Sequence, residues 1–262
     1  MEEIIKVLKN DTEYYSGVGR NYLSNSDIGT LLSNPSQFGM PKDKTPAMLQ
    51  GSYFHASILE PDKVKDYIAV DASTRSTNIY KDALKEHGTD ILLLQKEVDD
   101  TERMAQTILS NLTFYDMIRD MLNVYEQPAI GEIGGIQWKG KADIVSHDVI
   151  IDLKTSGNLD EFKYSARKYN YDSQAFIYNQ LFGKPMVFIV VEKETCRTGL
   201  FECSDEFLDR GREKVYKAID VYNKFLVQVR PMILLSISQF KLYKKNGTII
   251  FSIIRCIKNL QR

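Results

Sequence analysis

The chain has 262 residues, 43% of them hydrophobic and 26% charged, with a formal net charge of −1. This length suits one large or two small globular domains, and the near-neutral charge excludes a global basic field, so any nucleic-acid surface must be a local patch. No apolar run reaches the roughly 20 residues that span a bilayer, and no stretch near Met1 resembles a secretory signal. The three cysteines, Cys196, Cys203 and Cys256, form no CxxC pair, which argues against zinc and favours a reducing, cytoplasmic setting.

Two helices are predicted in the first sixty residues. Ser24 or Ser26 can cap a short helix that ends before Asn34-Pro35. Thr45 followed by Pro46 predicts the start of a second helix, which should stop before Pro61.

His55 lies inside that second helix, on one face with Gly51 and Leu59 at a spacing of four residues. A histidine in such a position is by default a satisfied core residue. The residues alone leave its role open between packing and function.

The middle of the chain predicts helices followed by a sheet. Between Leu92 and Leu122 the apolar residues recur at rough helical spacing. Methionines in this stretch are interpreted as core filling rather than as a cofactor site. Tyr125 to Ile136 then begins a sheet, with Glu132 as an acid of minor interest in it.

The most informative stretch is a predicted β-hairpin turning at His147-Asp148, between two β-branched runs. A two-residue turn there places Asp143 directly opposite Asp152, and opposed residues share a face with Cβ atoms about 4.5–5.5 Å apart. Lys154 lies two residues beyond Asp152, so its side chain points to the same face. Two carboxylates and an ammonium therefore converge.

Opposed like charges destabilise a sheet, and a divalent cation between Asp143 and Asp152 would reverse that effect, because hard cations take oxygen ligands. The alternative is an exposed sheet face on which Lys154 neutralises both acids. Spacing alone does not exclude it.

The last hundred residues predict two short helices, two paired strands and a long helix. Leu159 to Tyr169 is the first helix, and Asp172 or Ser173 caps a second, Gln174 to Leu181, closed by Gly183. In the second helix Gln174 and Tyr178 share a face.

Beyond Gly183, the run Met186–Val191 predicts a buried strand, with Gly199–Glu202 as its hairpin partner. Ser204 opens a long helix that is expected to end at Arg230-Pro231. Residues 231–262 form a tail with six basic residues and no acid. A DNA contact, a membrane-surface element, a subunit contact and an appended hairpin all remain open for this tail.

Four segments in this order resemble the phage and prophage exonuclease VIII (RecE-type) nucleases, of the RecB-like branch of the PD-(D/E)XK superfamily. They are Thr45-Pro-Ala-Met-Leu-Gln-Gly-Ser-Tyr-Phe-His55-Ala-Ser-Ile-Leu-Glu60-Pro61, Lys141-Ala-Asp143, Asp152-Leu-Lys154-Thr155 and Tyr171-Asp-Ser-Gln174-Ala-Phe-Ile-Tyr178. The similarity covers roughly residues 20–230. It implies an α/β fold with a PD-(D/E)XK nuclease core, in which a central mixed β-sheet is flanked by helices. The expected organisation is a single nuclease domain over residues 1–230, with a helical N-terminal part, followed by the tail.

The resemblance also implies roles for particular residues. His55, Asp143 and Asp152 would be metal ligands, with the main-chain carbonyl of Leu153 completing the shell, and Asp143, Asp152 and Lys154 would be catalytic. Gln174 and Tyr178 would form the QxxxY element that supports the site and the DNA, and are counted with the catalytic set. Ala142 stands where the family pattern has proline. The metal would be Mg²⁺, with Mn²⁺ as the alternative.

The activity implied by the resemblance is 5′ to 3′ digestion of linear double-stranded DNA ends, feeding recombination by single-strand annealing in the cytoplasm of a bacterial host. The implied partners are duplex DNA ends, a single-strand annealing protein and further copies of the chain in a ring, with no membrane. Three alternatives stay open: an endonuclease of the same superfamily, a catalytically inactive DNA-binding protein, and a structural α/β protein whose acid pair is incidental.

Overall fold

The computed structural model describes residues 2–238, with side chains described for residues 2–224. The chain forms two compact units, Met1–Val221 and Tyr222–Arg262. Of the second unit only helical backbone as far as Ser238 is described, so most of the predicted basic tail lies outside the described residues. None of the helices in residues 2–238 is long and apolar enough to cross a membrane.

Helices dominate the chain before the main sheet. In the described residues they are α1 (Glu2–Leu8), α2 (Asp11–Tyr15), α3 (Asn25–Ser33), α4 (Pro46–Leu59), α5 (Asn78–His87), α6 (Gln95–Ser110) and α7 (Leu112–Arg119). Two short parallel strands lie among them, β1 (Ala69–Val70) and β2 (Leu93–Leu94).

The predicted start signals of two helices are confirmed. Ser24 and Asp27 form a capping box at the start of α3, and the Thr45 side chain accepts a hydrogen bond from the Met48 amide at the start of α4. Both caps satisfy amides that have no partner inside the helix.

A five-stranded mixed sheet forms the centre of the first unit. Its strands are β3 (Val124–Ile133), β4 (Ile136–Val145), β5 (Ile150–Ser156), β6 (Met186–Glu192) and β7 (Thr198–Glu202), which lie side by side in that order. β5 and β6 run parallel, whereas the other neighbours are antiparallel. The parallel pair is connected through α8 (Phe162–Lys168) and α9 (Tyr171–Phe182), as a parallel connection requires. The predicted mixed sheet flanked by helices is confirmed.

The two faces of β5 have different surroundings. Ile151 and Leu153 point into the main apolar core, where they pack with buried residues of α4, α6 and α7. Successive residues of a strand point to opposite faces, so Asp152 and Lys154 lie on the other face. Because side chains alternate between the two faces of β5, its apolar residues fill the core and its polar residues lie outside that core.

Helix α9 begins earlier than the sequence suggests. The predicted caps, Asp172 and Ser173, are buried inside the helix, and Asn170 precedes it with a φ of +60°. Asp172 is ion-paired with Lys214 at 2.8 Å, and the Ser173 hydroxyl donates to Asn25 at 2.6 Å. These two residues bind distant partners in addition to their local hydrogen bonds at the start of α9.

The last helix, α10 (Asp205–Ser238), continues beyond the predicted stop at Pro231. Proline removes one backbone hydrogen bond and crowds the preceding turn, which makes a break the usual outcome without excluding a continuing helix. The prediction that α10 ends at Arg230-Pro231 is therefore wrong.

Candidate metal centre and its surroundings

The predicted hairpin is present, but only its first two residue pairs form a ladder. Ile144 pairs with Ile151 and Val145 with Ile150, in the register expected for a turn at His147-Asp148. Beyond those pairs the two strands separate.

Asp143 lies where β4 and β5 separate. Its Oδ2 accepts a hydrogen bond from the Leu153 amide at 2.8 Å. The Asp143 carboxylate thus takes the place of the next backbone hydrogen bond between β4 and β5. The expected pairing of Asp143 directly opposite Asp152 is absent from the ladder between β4 and β5.

Asp152 is almost fully buried, and among the described residues only its Oδ1 accepts a hydrogen bond. Oδ1 accepts from the Gln174 side chain at 2.6 Å, and Oδ2 contacts the Lys154 ammonium. Burial raises the pKa of Asp152 to about 6, although the charge of Lys154 opposes the rise. Burial lowers the pKa of Lys154, but Asp152 and Asp143 raise it by more, so Lys154 is an ammonium at neutral pH. The alternative of an exposed sheet face is excluded by this burial.

His55 projects from α4 toward the same place. Its Nδ1 lies 3.3 Å from Asp143 Oδ2. Burial lowers the His55 pKa, but the carboxylate of Asp143 raises it by more. Reciprocally, burial raises the pKa of Asp143, and the opposing effects of His55 and Lys154 bring it below its usual value.

Glu126 is a third acid at this position, which the sequence interpretation missed. The β3–β4 register pairs Tyr125 with Ile144 and Gln127 with Ala142, so Glu126 falls across from Asp143. Its φ is +47°, a left-handed backbone conformation. Burial raises the pKa of Glu126 to about 7, and the neighbouring Asp143 adds to the rise.

The sequence did carry a signal for Glu126. Gly134 and Gly135 separate two β-like runs, which is a hairpin turn signal, and counting back from that turn leads to Glu126 opposite Asp143. Glu132, the acid noted from the sequence, is instead exposed and accepts a hydrogen bond from Gln137 at 3.3 Å.

A metal can be held by His55, Glu126 and Asp143. One ligand atom from each lies within 4.8 Å of the others, and no other such group is found among the described residues. Two carboxylates and an imidazole suit Mg²⁺ or Mn²⁺ better than softer metals. Asp152 is not part of this group of three; its Oδ1 accepts from Gln174 and its Oδ2 lies beside the Lys154 ammonium. Its role as a ligand, like that of the Leu153 carbonyl, stays a prediction.

Tyr178 supports the strand that carries Asp143. Its hydroxyl accepts from the Lys141 amide at 3.2 Å and donates to the Lys141 carbonyl at 2.8 Å. A Cβ at Gly140 would lie 2.7 Å from the Tyr178 ring, so glycine lets the ring approach the strand. Gln174 and Tyr178, predicted to share a face, thus brace β5 and β4 respectively.

Lys141 connects the centre to the N-terminal helices. Its ammonium contacts Asp11 of α2 and lies 3.5 Å from the Glu126 carboxylate. The pKa of Lys141 would be lowered by burial, but its bond to Asp11 and the charge of Glu126 raise it. A positive charge therefore stands beside the three candidate ligands.

This sheet, with acids on adjacent strands and a lysine two residues after the second acid, defines a PD-(D/E)XK fold. The chain belongs to the family described as a PDDEXK-like domain of unknown function (DUF3799), whose model matches residues 34–232. A search of the curated proteins found no match to the chain.

Solved structures similar to this one include two described as exonucleases. A candidate exonuclease from Eubacterium rectale is 19% identical, with a TM-score of 0.57, over 82% of this chain and 86% of its own. An alkaline exonuclease from Laribacter hongkongensis is 11% identical, with a TM-score of 0.38, over 83% of this chain and 97% of its own. The first likeness supports the fold, whereas the second is too distant to carry an argument.

Proposed function

We propose that the protein is a metal-dependent deoxyribonuclease that hydrolyses phosphodiester bonds from the ends of linear duplex DNA. The observation that carries the proposal is the convergence of His55, Glu126 and Asp143 beside the buried pair of Asp152 and Lys154. Buried charges are costly, so a sequence without a use for them would not be expected to retain this arrangement.

In this proposal His55, Glu126 and Asp143 hold the metal, with Asp152 and the Leu153 carbonyl as further candidates at its edge. A bound Mg²⁺ or Mn²⁺ supplies polarisation of the scissile phosphate and a lowered pKa for water. Asp143 is held in place by the Leu153 amide, and Gln174 fixes the carboxylate of Asp152.

Lys154 acts as a charged group in the reaction. With Asp152 and Asp143 raising its pKa, the Lys154 ammonium is suited to orient the attacking water and to stabilise negative charge on the phosphate oxygens. Water adds to phosphorus, the bond from phosphorus to the leaving sugar oxygen breaks, and that oxygen gains a proton. The products are an alcohol and a phosphate monoester.

The finer features of the proposal rest on the resemblance to RecE-type nucleases. They are 5′ to 3′ polarity, a 3′ single strand as product, a ring of copies around DNA, and cooperation with a single-strand annealing protein in the bacterial cytoplasm. Each of these features can be wrong without affecting the proposal that the protein hydrolyses phosphodiester bonds.

The decisive experiment compares end-labelled linear duplex with a covalently closed circle, in Mg²⁺ or in EDTA, for the wild type and Lys154→Ala. We expect the wild type to degrade only the linear DNA, only with metal, and the variant to lose at least a hundredfold in rate. The order of label release gives the polarity.

Three results would contradict parts of this proposal. Cutting of the circle would identify an endonuclease. Retained DNA binding with no cutting by the wild type would identify an inactive binding protein. Full activity in Lys154→Ala, with an unchanged melting temperature, would refute the site assignment.

A further inference from the structure

Helix α8 presents an exposed surface that combines basic and aromatic side chains. Lys163, Tyr164, Arg167, Lys168 and Tyr169 are all exposed. The helix has its apolar side toward the protein, where Phe162 and Ala166 are buried. We call these five exposed residues the α8 surface.

The cations of the α8 surface are free of acidic partners. Among the described residues no ion pair joins Lys163, Arg167 or Lys168 to a carboxylate, and α8 itself contains no acid, although Glu161 directly precedes it. Several other basic side chains of the protein are ion-paired; Arg75, for example, lies 2.6 Å from Glu97. Unpaired cations concentrated on one short helix are complementary to a polyanion.

Both tyrosines of this surface are exposed to solvent. Tyr164 is 60% exposed and Tyr169 is 57% exposed. The Lys163 ammonium lies 4.9 Å from the Tyr164 ring centre and the Lys168 ammonium 5.6 Å from that of Tyr169. Each ring is thus accompanied by a cation, which is the combination found where bases stack and the adjacent phosphates are neutralised.

The α8 surface is connected to the candidate centre through one further ring. Tyr169 and Tyr171 lie 6.0 Å apart with their planes inclined by 36°. The Lys154 ammonium lies 4.8 Å from the Tyr171 ring centre. Tyr171 itself is held by Phe162 and Phe188. A continuous aromatic path therefore runs from solvent to the lysine beside Asp152.

We propose that the α8 surface binds unpaired nucleotides of a DNA strand next to the site of cleavage, with bases stacked on Tyr164 and Tyr169 and phosphates contacting Lys163 and Lys168. Stacking on a side chain requires a base that is free of its own helix, so the ligand is a single strand or a frayed end. An acidic peptide would satisfy the lysines but would leave the ring faces unused. This inference rests on the proposed nuclease function only in saying that the bound strand leads to the site of cleavage.

The test measures binding without cleavage. Full-length protein in EDTA is titrated into a fluorescently labelled 20-nucleotide oligothymidylate, and anisotropy is recorded. We expect Tyr164→Ala and Tyr169→Ala each to weaken binding roughly fivefold to a hundredfold, the range for loss of one base–aromatic stack. The phenylalanine variants should retain wild-type affinity because they keep the ring.

Two controls make the result specific. Tyr115→Ala removes a tyrosine that is 46% exposed on α7, and it should change affinity less than about twofold. A blunt hairpin duplex should respond far less than the single strand to the Tyr164 and Tyr169 variants. The double variant Lys163→Gln, Lys168→Gln should reduce the slope of log affinity against log salt by about 1.4, for two phosphate contacts.

The inference is overturned if the alanine variants bind the oligonucleotide as the wild type does, or if duplex and single strand weaken equally. It is also overturned if the wild type binds no single strand. None of these results bears on cleavage by the wild type and its loss in Lys154→Ala, so failure of the inference and failure of the proposed function are distinguishable.

Discussion

Tyr178 lies beside the part of β4 that is no longer paired with β5. Removing the Tyr178 hydroxyl tests whether that side chain satisfies the backbone of the strand. Along the same edge of β4, the Leu23 carbonyl accepts a hydrogen bond from the Lys139 amide, and the Leu23 amide donates one to the Gln137 carbonyl. Lys141 comes next, and its amide and carbonyl bind the Tyr178 hydroxyl instead. Tyr178→Phe keeps the ring but leaves both backbone groups without that partner.

The expected cost follows from these two bonds. An unsatisfied buried backbone group costs about 1–3 kcal/mol, so two would cost about 2–6 kcal/mol if the site stayed dry. Because Lys141 is only partly buried, water will recover some of this loss. We expect Tyr178→Phe to lower the free energy of unfolding by about 2–4 kcal/mol.

The assay is equilibrium unfolding in urea without metal, followed by circular dichroism. The midpoint should fall with no change in the slope, which would indicate lost stability and not an altered unfolded state. Tyr216→Phe is the matched control, since Tyr216 is 46% exposed, and it should change stability by less than about 0.5 kcal/mol. An equally small effect of Tyr178→Phe would refute the reasoning that its hydroxyl satisfies the strand.

Two further predictions concern the acids and the helix packing. The pKa of Glu126 is raised to about 7, and Asp143 raises the pKa of His55 above its usual value. Metal must displace the protons of both ligands, so affinity should rise by roughly fivefold or more from pH 6 to 7 and continue to rise until both are deprotonated. Calorimetry in two buffers would show proton release at pH 6, and release unchanged in Glu126→Gln would contradict the ligand role. A Cβ at Gly211 would lie 2.1 Å from the Asp172 carbonyl oxygen, so Gly211→Ala should destabilise the protein by about 1–3 kcal/mol. Gly157→Ala, where nothing lies within 4 Å, should change the melting temperature little, and equal effects of the two substitutions would contradict the packing argument.

Local pattern was sufficient for much of the fold. Thr45 and Pro46 predicted the start of α4 because capping depends on a few adjacent residues. The His147-Asp148 turn predicted the pairing of Val145 with Ile150, since the length of a turn fixes the register beside it. In both places the sequence-based prediction is confirmed.

Prediction was weaker where a residue has a distant partner. Asp172 and Ser173 have the chemistry of helix caps, yet Lys214 and Asn25 bind them inside the helix. The same limitation applies to His55, because periodicity places it on a face of α4 but does not say what that face meets.

The sequence by itself determined which residue types stand on which face of each element, and so it placed Asp143, Asp152 and Lys154 together. Only the tertiary structure decided that His55 of α4 reaches Asp143 of β4, that Glu126 joins them in the candidate ligand group, and that Gln174 binds Asp152. The physical reason is that turns and periodicity act over a few residues, whereas these contacts depend on how a helix packs against a sheet. Burial then follows from that packing, and burial shifts the pKa values of Glu126 and Asp152 toward neutrality.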